Sequence, residues 1–196
     1  MSTRFFSFSD DTPFSTEAVL VNASSSHYEE DWPSIPHTHA FTELFYVSEG
    51  SGEFLIENQH FSIKKDDLII VNPHIQHTVI SLSASPLSYY TVGVDGISFS
   101  FHDQKEFQIF HYHQKHADLL FYFHSLFQEL DEKNDGYEEI CKHTLAILIS
   151  QLRRFAVSDF QLFPSFHPSK ECALVKRYLD SHYSDDINLE QLASLS

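Results

Sequence analysis

The 196-residue chain is poor in several features that specialised proteins depend on. Its 2 cysteines, Cys141 and Cys172, cannot build a disulfide framework, which is typical of a reducing environment. No apolar run approaches the roughly 20 residues that a membrane-spanning helix needs. With 5 glycines it also has none of the composition of a fibrous or low-complexity protein. These absences favour a globular, cytoplasmic protein.

Positive charge is scarce as well. The chain has 12 Lys and Arg against 28 Asp and Glu, which gives a net charge of -16. Before Lys105 the only basic residues, apart from histidine, are Arg4, Lys64 and Lys65. A surface this negative repels phosphate backbones. We therefore do not expect this chain to bind DNA or RNA itself.

Short, strand-like segments are abundant between residues 18 and 101. They read AVLV, AFTELFYV, GEFLIE, HFSI, DLIIV, HTVISL and YYTVGV, and turn-forming residues separate them. Strands this close together leave no room for the helices of a βαβ sheet. The pattern predicts a mainly β fold with α, built around an antiparallel sandwich or barrel.

Two amphipathic helices follow, after about residue 116. Apolar residues recur every three or four positions in HADLLFYFHSLFQELDEKNDG and in YEEICKHTLAILISQLRRF. A short turn joins the two segments, so we expect a helical hairpin over 116–156. Two interpretations stay open for its apolar stripes: they pack on the barrel, or they form a dimerisation surface. The second stripe comprises Cys141, Leu145, Leu148, Leu152 and Phe155.

The last forty residues change character again. The proline-containing segment 157–169 indicates a linker, and a new helix is predicted after it. Asn188 is suited to cap a further helix, with Gln191 completing a capping box. Because the chain ends soon after that start, we expect 170–196 to be the opening of a longer helical domain.

A cluster of polar residues lies within the strand-like part of the sequence. His37, His39 and Glu43 have the same parity, so on one strand they would share a face with Phe41 and Phe45. A further histidine, His77, starts a later strand that can lie alongside. Three imidazoles and a carboxylate suit a divalent transition metal, although a satisfied hydrogen-bond network without any ligand is also consistent.

These residues resemble the first motif of the cupin superfamily, whose members are antiparallel jelly-roll barrels. The match is His-x-His-x3-Glu-x6-Gly, from His37 to Gly50. The second cupin motif keeps His77 and the nearby Pro73 but departs elsewhere. Asp66 and His74 replace its two usual glycines, and Ser81 replaces its final asparagine. Ahead of the first motif, Asp31 stands where a glycine is usual.

The whole chain also resembles the AraC family of transcription regulators. The segment from HTHAFTELFYV to IQHTV is similar to its effector domain, and LVKRYLDSHYSDDINLEQLASLS to the start of its DNA-binding domain. The resemblance implies an arm (1–17), a cupin-like effector-binding barrel (18–115), a dimerising hairpin (116–156), a linker (157–169) and a truncated helix-turn-helix domain (170–196). The recognition helix that reads DNA would lie in the missing part.

The function expected from this resemblance is effector sensing, not catalysis. A small polar molecule, a sugar above all, would be held by His37, His39, Glu43 and His77, with Phe41, Phe45 and Trp32 as aromatic wall. A homodimer would pass the signal to DNA. The alternative is a cupin metalloenzyme, a dioxygenase or isomerase, in which the same histidines and glutamate bind a divalent transition metal as its cofactor.

Overall fold

The computed structural model describes residues 18–28, 34–101, 105–111, 119–155, 160–164 and 191–192. Contacts divide the chain into one unit over residues 1–164 and another over 165–196, of which only Gln191 and Leu192 are described. The first unit contains the strands β1 (Val19–His27), β2 (Thr42–Glu49), β3 (Ser51–Ile56), β4 (Gln59–Lys64), β5 (Asp67–Val71), β6 (His77–Ser81), β7 (Ser88–Asp95), β8 (Ile97–Phe101), β9 (Phe107–His111) and β10 (Phe160–Pro164), and the helices α1 (Leu119–Glu132) and α2 (Tyr137–Phe155).

The strands form antiparallel sheets, as predicted. A five-stranded sheet has the order β1-β7-β2-β5-β9, and a three-stranded sheet has the order β4-β3-β6. A third sheet pairs β10 with β8. Consecutive strands are often not neighbours, and this interleaving brings residues that are far apart in the sequence onto one surface.

The five-stranded sheet is buried on both faces. Its inner face carries Phe45, Ile69 and Tyr89, which pack with Phe54 and Val79 of the three-stranded sheet. Its outer face packs against the two helices, through Leu44, Tyr46, Ile70, Val92 and Val94. Since neighbouring residues on a strand point to opposite faces, each central strand contributes to both cores.

Helices α1 and α2 confirm the two helical predictions. They pack together, and Leu126 and Phe123 of α1 belong to the same buried cluster as the outer face of the sheet. The stripe predicted for dimerisation is in that cluster too: Cys141, Leu145, Leu148 and Leu152 are each at most 2% exposed. The dimerisation role given to these four residues is therefore wrong, because their apolar side chains are already covered by their own chain.

Phe155, the last member of that stripe, ends α2 as predicted, and its side chain lies outside the described residues. The exposed apolar residues of α2 are instead Ile140 and Ile147, at 44% and 47% exposure. They lie seven positions apart, so they share one face of the helix. The packing interpretation of the stripe is the one that the structure supports.

Three strands escaped the sequence analysis. Strand β8 lies inside the strand-like range 18–101 but after YYTVGV, the last segment named there; β9 lies beyond that range, and β10 lies inside the segment predicted as a linker. Asn72 holds β8 against β5, because its Nδ2 donates to the Phe99 carbonyl at 2.6 Å and its Oδ1 accepts from the Phe99 amide at 2.9 Å. The arm and, apart from Gln191 and Leu192, the predicted helix-turn-helix fragment lie outside the described residues. Over the described ranges, none of the helices is both long and apolar enough for a transmembrane segment.

Candidate functional site

A cavity of about 610 Å³ opens at the inner face of the five-stranded sheet. Its size falls within the range of pockets for small molecules. Strands of both larger sheets and the segment before β2 supply its walls. The lining residues are Asn22, Ala23, Ser24, Ser26, Ile35, His37, His39, Glu43, Phe45, Phe54, His77, Thr78, Val79, Tyr89 and Thr91.

Glu43 and His77 form a buried hydrogen-bonded pair at one wall of this cavity. His77 Nε2 donates to Glu43 Oε2 at 2.8 Å, and the two side chains are 4% and 9% exposed. The other ring nitrogen, Nδ1, lies 2.8 Å from the Ile75 carbonyl oxygen. Both partners are acceptors, so the ring satisfies them best as an imidazolium. Burial opposes that charge, yet the bonds to Glu43 and Ile75 raise the pKa of His77 above its usual value.

His39 is polar, half-buried and incompletely bonded. Its Nε2 is buried without a hydrogen-bond partner, and the nearest carboxylate oxygen, Glu43 Oε1, is 3.8 Å away. Burial first, and then the neighbouring rings of His77 and His37, lower the pKa of His39, although Glu43 acts in the opposite direction. A buried nitrogen without a partner is costly, so this atom is suited to meet a ligand.

Three histidines come together where the cupin resemblance places a metal. One ring nitrogen from each of His37, His39 and His77 lies within 4.8 Å of the others. His37 Nδ1 contacts the Ile35 carbonyl oxygen at 3.0 Å, which orients its ring. The unpartnered His39 nitrogen and this donor set fit one divalent transition ion, with Glu43 beside it.

The route by which the histidines converge differs from the prediction. Strand β2 begins only at Thr42, so His37 and His39 are not on one strand with Glu43. Instead, the backbone of His37 pairs with that of His77 through two hydrogen bonds of 3.0 Å, and the His39 carbonyl accepts from the His74 amide at 2.7 Å. This pairing with the β6 side, not strand parity, points the imidazoles toward Glu43.

The aromatic residues predicted for the wall have three different outcomes. Phe45 is buried, lines the cavity and stacks on Tyr89, with ring centres 4.4 Å apart. Phe41 does not line the cavity but stacks behind His39 at 4.7 Å. Trp32 lies outside the described residues. The aromatic wall is completed by Phe54 and Tyr89, which the sequence analysis did not select.

Hydroxyl groups of β1 and β7 also line the cavity, and they were not predicted from the sequence. Ser24 and Ser26 of β1 and Thr91 of β7 line the cavity beside Asn22. The hydroxyls of Ser24 and Thr91 are hydrogen-bonded at 2.6 Å. The available signal was the run of small polar residues in NASSS, but a serine-rich run reads as a turn unless its pairing with β7 is known.

A known family of domains matches the part of the chain that contains most of the cavity lining. The family model described as AraC-like ligand binding domain matches residues 24–148, well over half of the chain. The match includes the cavity walls apart from Asn22 and Ala23, and it extends into α2. No curated protein sequence matches significantly.

Several solved structures are similar to this chain at low sequence identity. An apo variant of ToxT from Vibrio cholerae is 10% identical, with a TM-score of 0.51, covering 92% of this chain and 70% of that one. ToxT bound to (E)-4-(8-methylnaphthalen-1-yl)but-3-enoic acid is 10% identical, with a TM-score of 0.49, covering 88% and 70%. A cupin protein from Bacteroides fragilis is 19% identical, with a TM-score of 0.34, covering 46% and 82%. The first likeness supports the arrangement of strands followed by two helices.

Proposed function

This chain belongs to the family of AraC-like ligand-binding domains, and we propose that its cavity binds a small polar effector of a transcription regulator. The observation that carries the proposal is the cavity itself. It lies within the matched region, and it combines an aromatic wall with unsatisfied and hydroxyl-bearing polar groups. Pockets with few convergent polar groups on an apolar lining are typical of ligand sites.

A sugar is the effector class that we propose. His39 and Glu43 can exchange hydrogen bonds with hydroxyl groups, and His37 and His77 lie next to them. Phe45 offers a flat apolar surface to the less polar face of a sugar ring. Phe41 supports His39 from behind, and Trp32 remains a proposed contact.

Regulation of DNA binding is part of the same proposal. The effector would bind one arrangement of the domain better than another and so shift the equilibrium between them. The DNA-reading domain is proposed to continue from 170–196, with 157–169 as linker and 1–17 as an arm, in a cytoplasmic protein. No catalytic role is proposed for the cavity residues in this function.

A thermal-shift screen with hexoses, pentoses and polyols tests the effector class. Because a ligand that binds only the native state stabilises it, at least one sugar should raise the Tm in a concentration-dependent way. Glu43→Ala should abolish that shift. Glu53→Ala removes a carboxylate on exposed β3 surface and is the matched control, expected to respond as wild type. An equal shift in Glu43→Ala would contradict the proposed site.

A metalloenzyme is the second candidate, favoured by the unpartnered Nε2 of His39. His37, His39, His77 and Glu43 would hold a divalent transition metal, which would supply Lewis-acid chemistry for a dioxygenase or isomerase reaction. Protein purified without a nickel column and analysed for metals should contain close to one equivalent on this hypothesis. A content below about a tenth of an equivalent would exclude a site this rich in nitrogen donors.

Homodimerisation through the helical hairpin is also proposed, now through its exposed face. Ile140 and Ile147 present apolar surface on α2, outside the intramolecular core. Ile147→Glu should shift the chain toward monomer in light scattering without lowering its Tm by more than a few degrees. Gln59→Glu, at an exposed position of β4 and not on the hairpin, controls for added charge. A wild-type chain that is monomeric at high concentration would contradict this proposal.

A further inference from the structure

The kinds of side chain that line the cavity bear on ligand selection. Among the described residues that line it, none is a lysine or arginine, and Glu43 is the only carboxylate. A pocket for a carboxylate or phosphate normally presents a guanidinium, an ammonium or a helix N-terminus to it. The chain as a whole, at -16, adds a repulsive field for anions.

The buried histidine beside Glu43 is already hydrogen-bonded at both ring nitrogens. His77 donates one ring nitrogen to Glu43 and the other to the Ile75 carbonyl, so neither is free to bind an incoming anion. An anionic ligand would have to displace Glu43 and leave that buried carboxylate without its partner, which is costly. His39 Nε2 is buried without a hydrogen-bond partner, but Glu43 Oε1 lies 3.8 Å from it, so an anion bound there would also meet the Glu43 carboxylate.

The strands beside Glu43 offer neutral polar groups, since β1, β7 and β2 are neighbours in one sheet. Ser24 and Thr91 present hydroxyls that are hydrogen-bonded to each other, and Asn22 adds an amide beside them. Hydroxyls and amides both donate and accept, so they match ligand hydroxyl groups without requiring a charge.

We infer that the cavity selects effectors that carry no negative charge and rejects carboxylates and phosphates of the same shape. This selectivity rests on the proposed effector function and deepens it by naming the charge class of the ligand. Glu43 is the specificity-determining residue, because its buried carboxylate repels a second anion at short range, where solvent screening is weak. The discrimination is built by repulsion as well as by fit.

Two ligand series separate this inference from the sugar proposal. The first pairs each hexose with its uronate and its 6-phosphate; the second pairs small aryl alcohols with the matching aryl carboxylates. Binding is followed by ligand-observed NMR and thermal shift, with EDTA present because a bound divalent cation would attract anions. The neutral member of each binding pair should bind at least about tenfold more tightly, which is about 1.4 kcal/mol.

Two variants should weaken the preference for neutral ligands, each through a different residue of the cavity lining. Glu43→Gln keeps the shape and removes the charge, so the acid should approach the neutral ligand in affinity. Ser24→Arg adds a cation on the exposed edge strand and should strengthen acid binding about tenfold or more. Ser25→Arg is the matched control, since Ser25 is exposed on the same strand but does not line the cavity.

The outcomes are distinct. Neutral aryl alcohols that bind while all hexoses fail would overturn the sugar proposal and support the charge selectivity. Acids that bind the wild type as well as their neutral partners would overturn the selectivity and leave the effector function standing. If no member of either series binds, both the effector site and its selectivity are overturned.

Discussion

Glu43 is the residue on which the polar contacts of the cavity converge. It bonds His77 at 2.8 Å, lies 3.8 Å from the unpartnered His39 nitrogen, and shares in raising the pKa of Tyr89. Its strand fixes it well, because β2 is paired on both sides, with β5 and with β7. A single carboxylate on a rigid strand therefore sets the electrostatics of the whole site.

At this scale we predict that Glu43→Gln lowers the pKa of His77, measured by NMR titration of its ring protons. The reason is that the bond and charge of Glu43 are what raise that pKa against burial. Glu53→Gln, which removes an exposed carboxylate elsewhere, should leave the titration of His77 unchanged. An unaltered His77 in Glu43→Gln would mean that its bond to Ile75 suffices.

The same pair should make stability depend on pH. The folded-state pKa of His77 is raised above the unfolded value of about 6.5, so its pairing stabilises the fold fully below that pH. That contribution is lost as the pH rises through the folded-state pKa. Urea denaturation at pH 6 and pH 8 should show a smaller difference between these two pH values in Glu43→Gln than in wild type.

Gly93 is a second residue whose environment leads to a prediction. It lies between Asn22 on β1 and Glu43 on β2, and an added Cβ would come within 2.3 Å of Asn22 Oδ1 and 2.6 Å of the Phe41 ring. Gly93→Ala should therefore displace Phe41 from His39 and destabilise the fold by about 1–3 kcal/mol. Gly136→Ala lowers stability without altering ligand affinity, because nothing lies near its Cβ and only its positive φ of 81° is strained.

At the scale of elements, the sequence was most informative where a pattern was local. The stripes of α1 and α2 have helical period, and strands such as DLIIV are short, apolar and bounded by turns, so both were predicted. Strand β1 was found only in part, since its second half is NASSS, and serines form strand only when a partner such as β7 is present. Strand β10 depends in the same way on pairing with β8.

The site was predicted in composition more than in geometry. Identity and spacing singled out His37, His39, Glu43 and His77, and the structure places them together. Their proximity does not come from a shared strand face, as parity had predicted. It depends on the backbone bridge between His37 and His77, a long-range contact that the sequence pattern does not reveal. The buried stripe of α2 shows the same limit: periodicity identifies an apolar face, but not what covers it.

For α2 we predict opposite effects from adjacent residues. Leu148 is fully buried and Ile147 is 47% exposed. Leu148→Ala should cost about 2–5 kcal/mol of unfolding free energy through the cavity it leaves, whereas Ile147→Ala should change it by no more than about 0.5 kcal/mol. Chemical denaturation measures both. Equal losses would mean that the two faces of α2 are not packed as described.

At the scale of the whole domain, the five-stranded sheet connects the cavity with the helices. On β2, Glu43 and Phe45 face the cavity, while Leu44 and Tyr46 face α1 and α2. Tyr46 stacks on Phe123 of α1 with ring centres 5.1 Å apart and an interplanar angle of 19°. A ligand that shifts β2 must therefore disturb the packing of the helices as well.

We accordingly predict that a ligand binding in the cavity changes amide hydrogen exchange in α1, although it touches no helix residue. Phe123→Leu should weaken this remote change while leaving ligand affinity within about threefold, since Phe123 does not line the cavity. Phe121→Leu, on the exposed side of the same helix, is the control. If ligand binding leaves amide hydrogen exchange in α1 unchanged, the cavity and the helices are not coupled.

The two-sided burial of β2 has a consequence for genetics. On β2, Glu43 and Phe45 line the cavity and Val47 packs in the core beside it, whereas Leu44 and Tyr46 pack in the core shared with the helices. Suppressors and specificity mutants selected in a reporter strain should therefore sort by the parity of the residue number. Odd positions would change which compound induces, and even positions would change the output at a given inducer. Neighbouring residues of β2 would then determine two separate properties of the regulator, namely which compound induces it and how strong its output is.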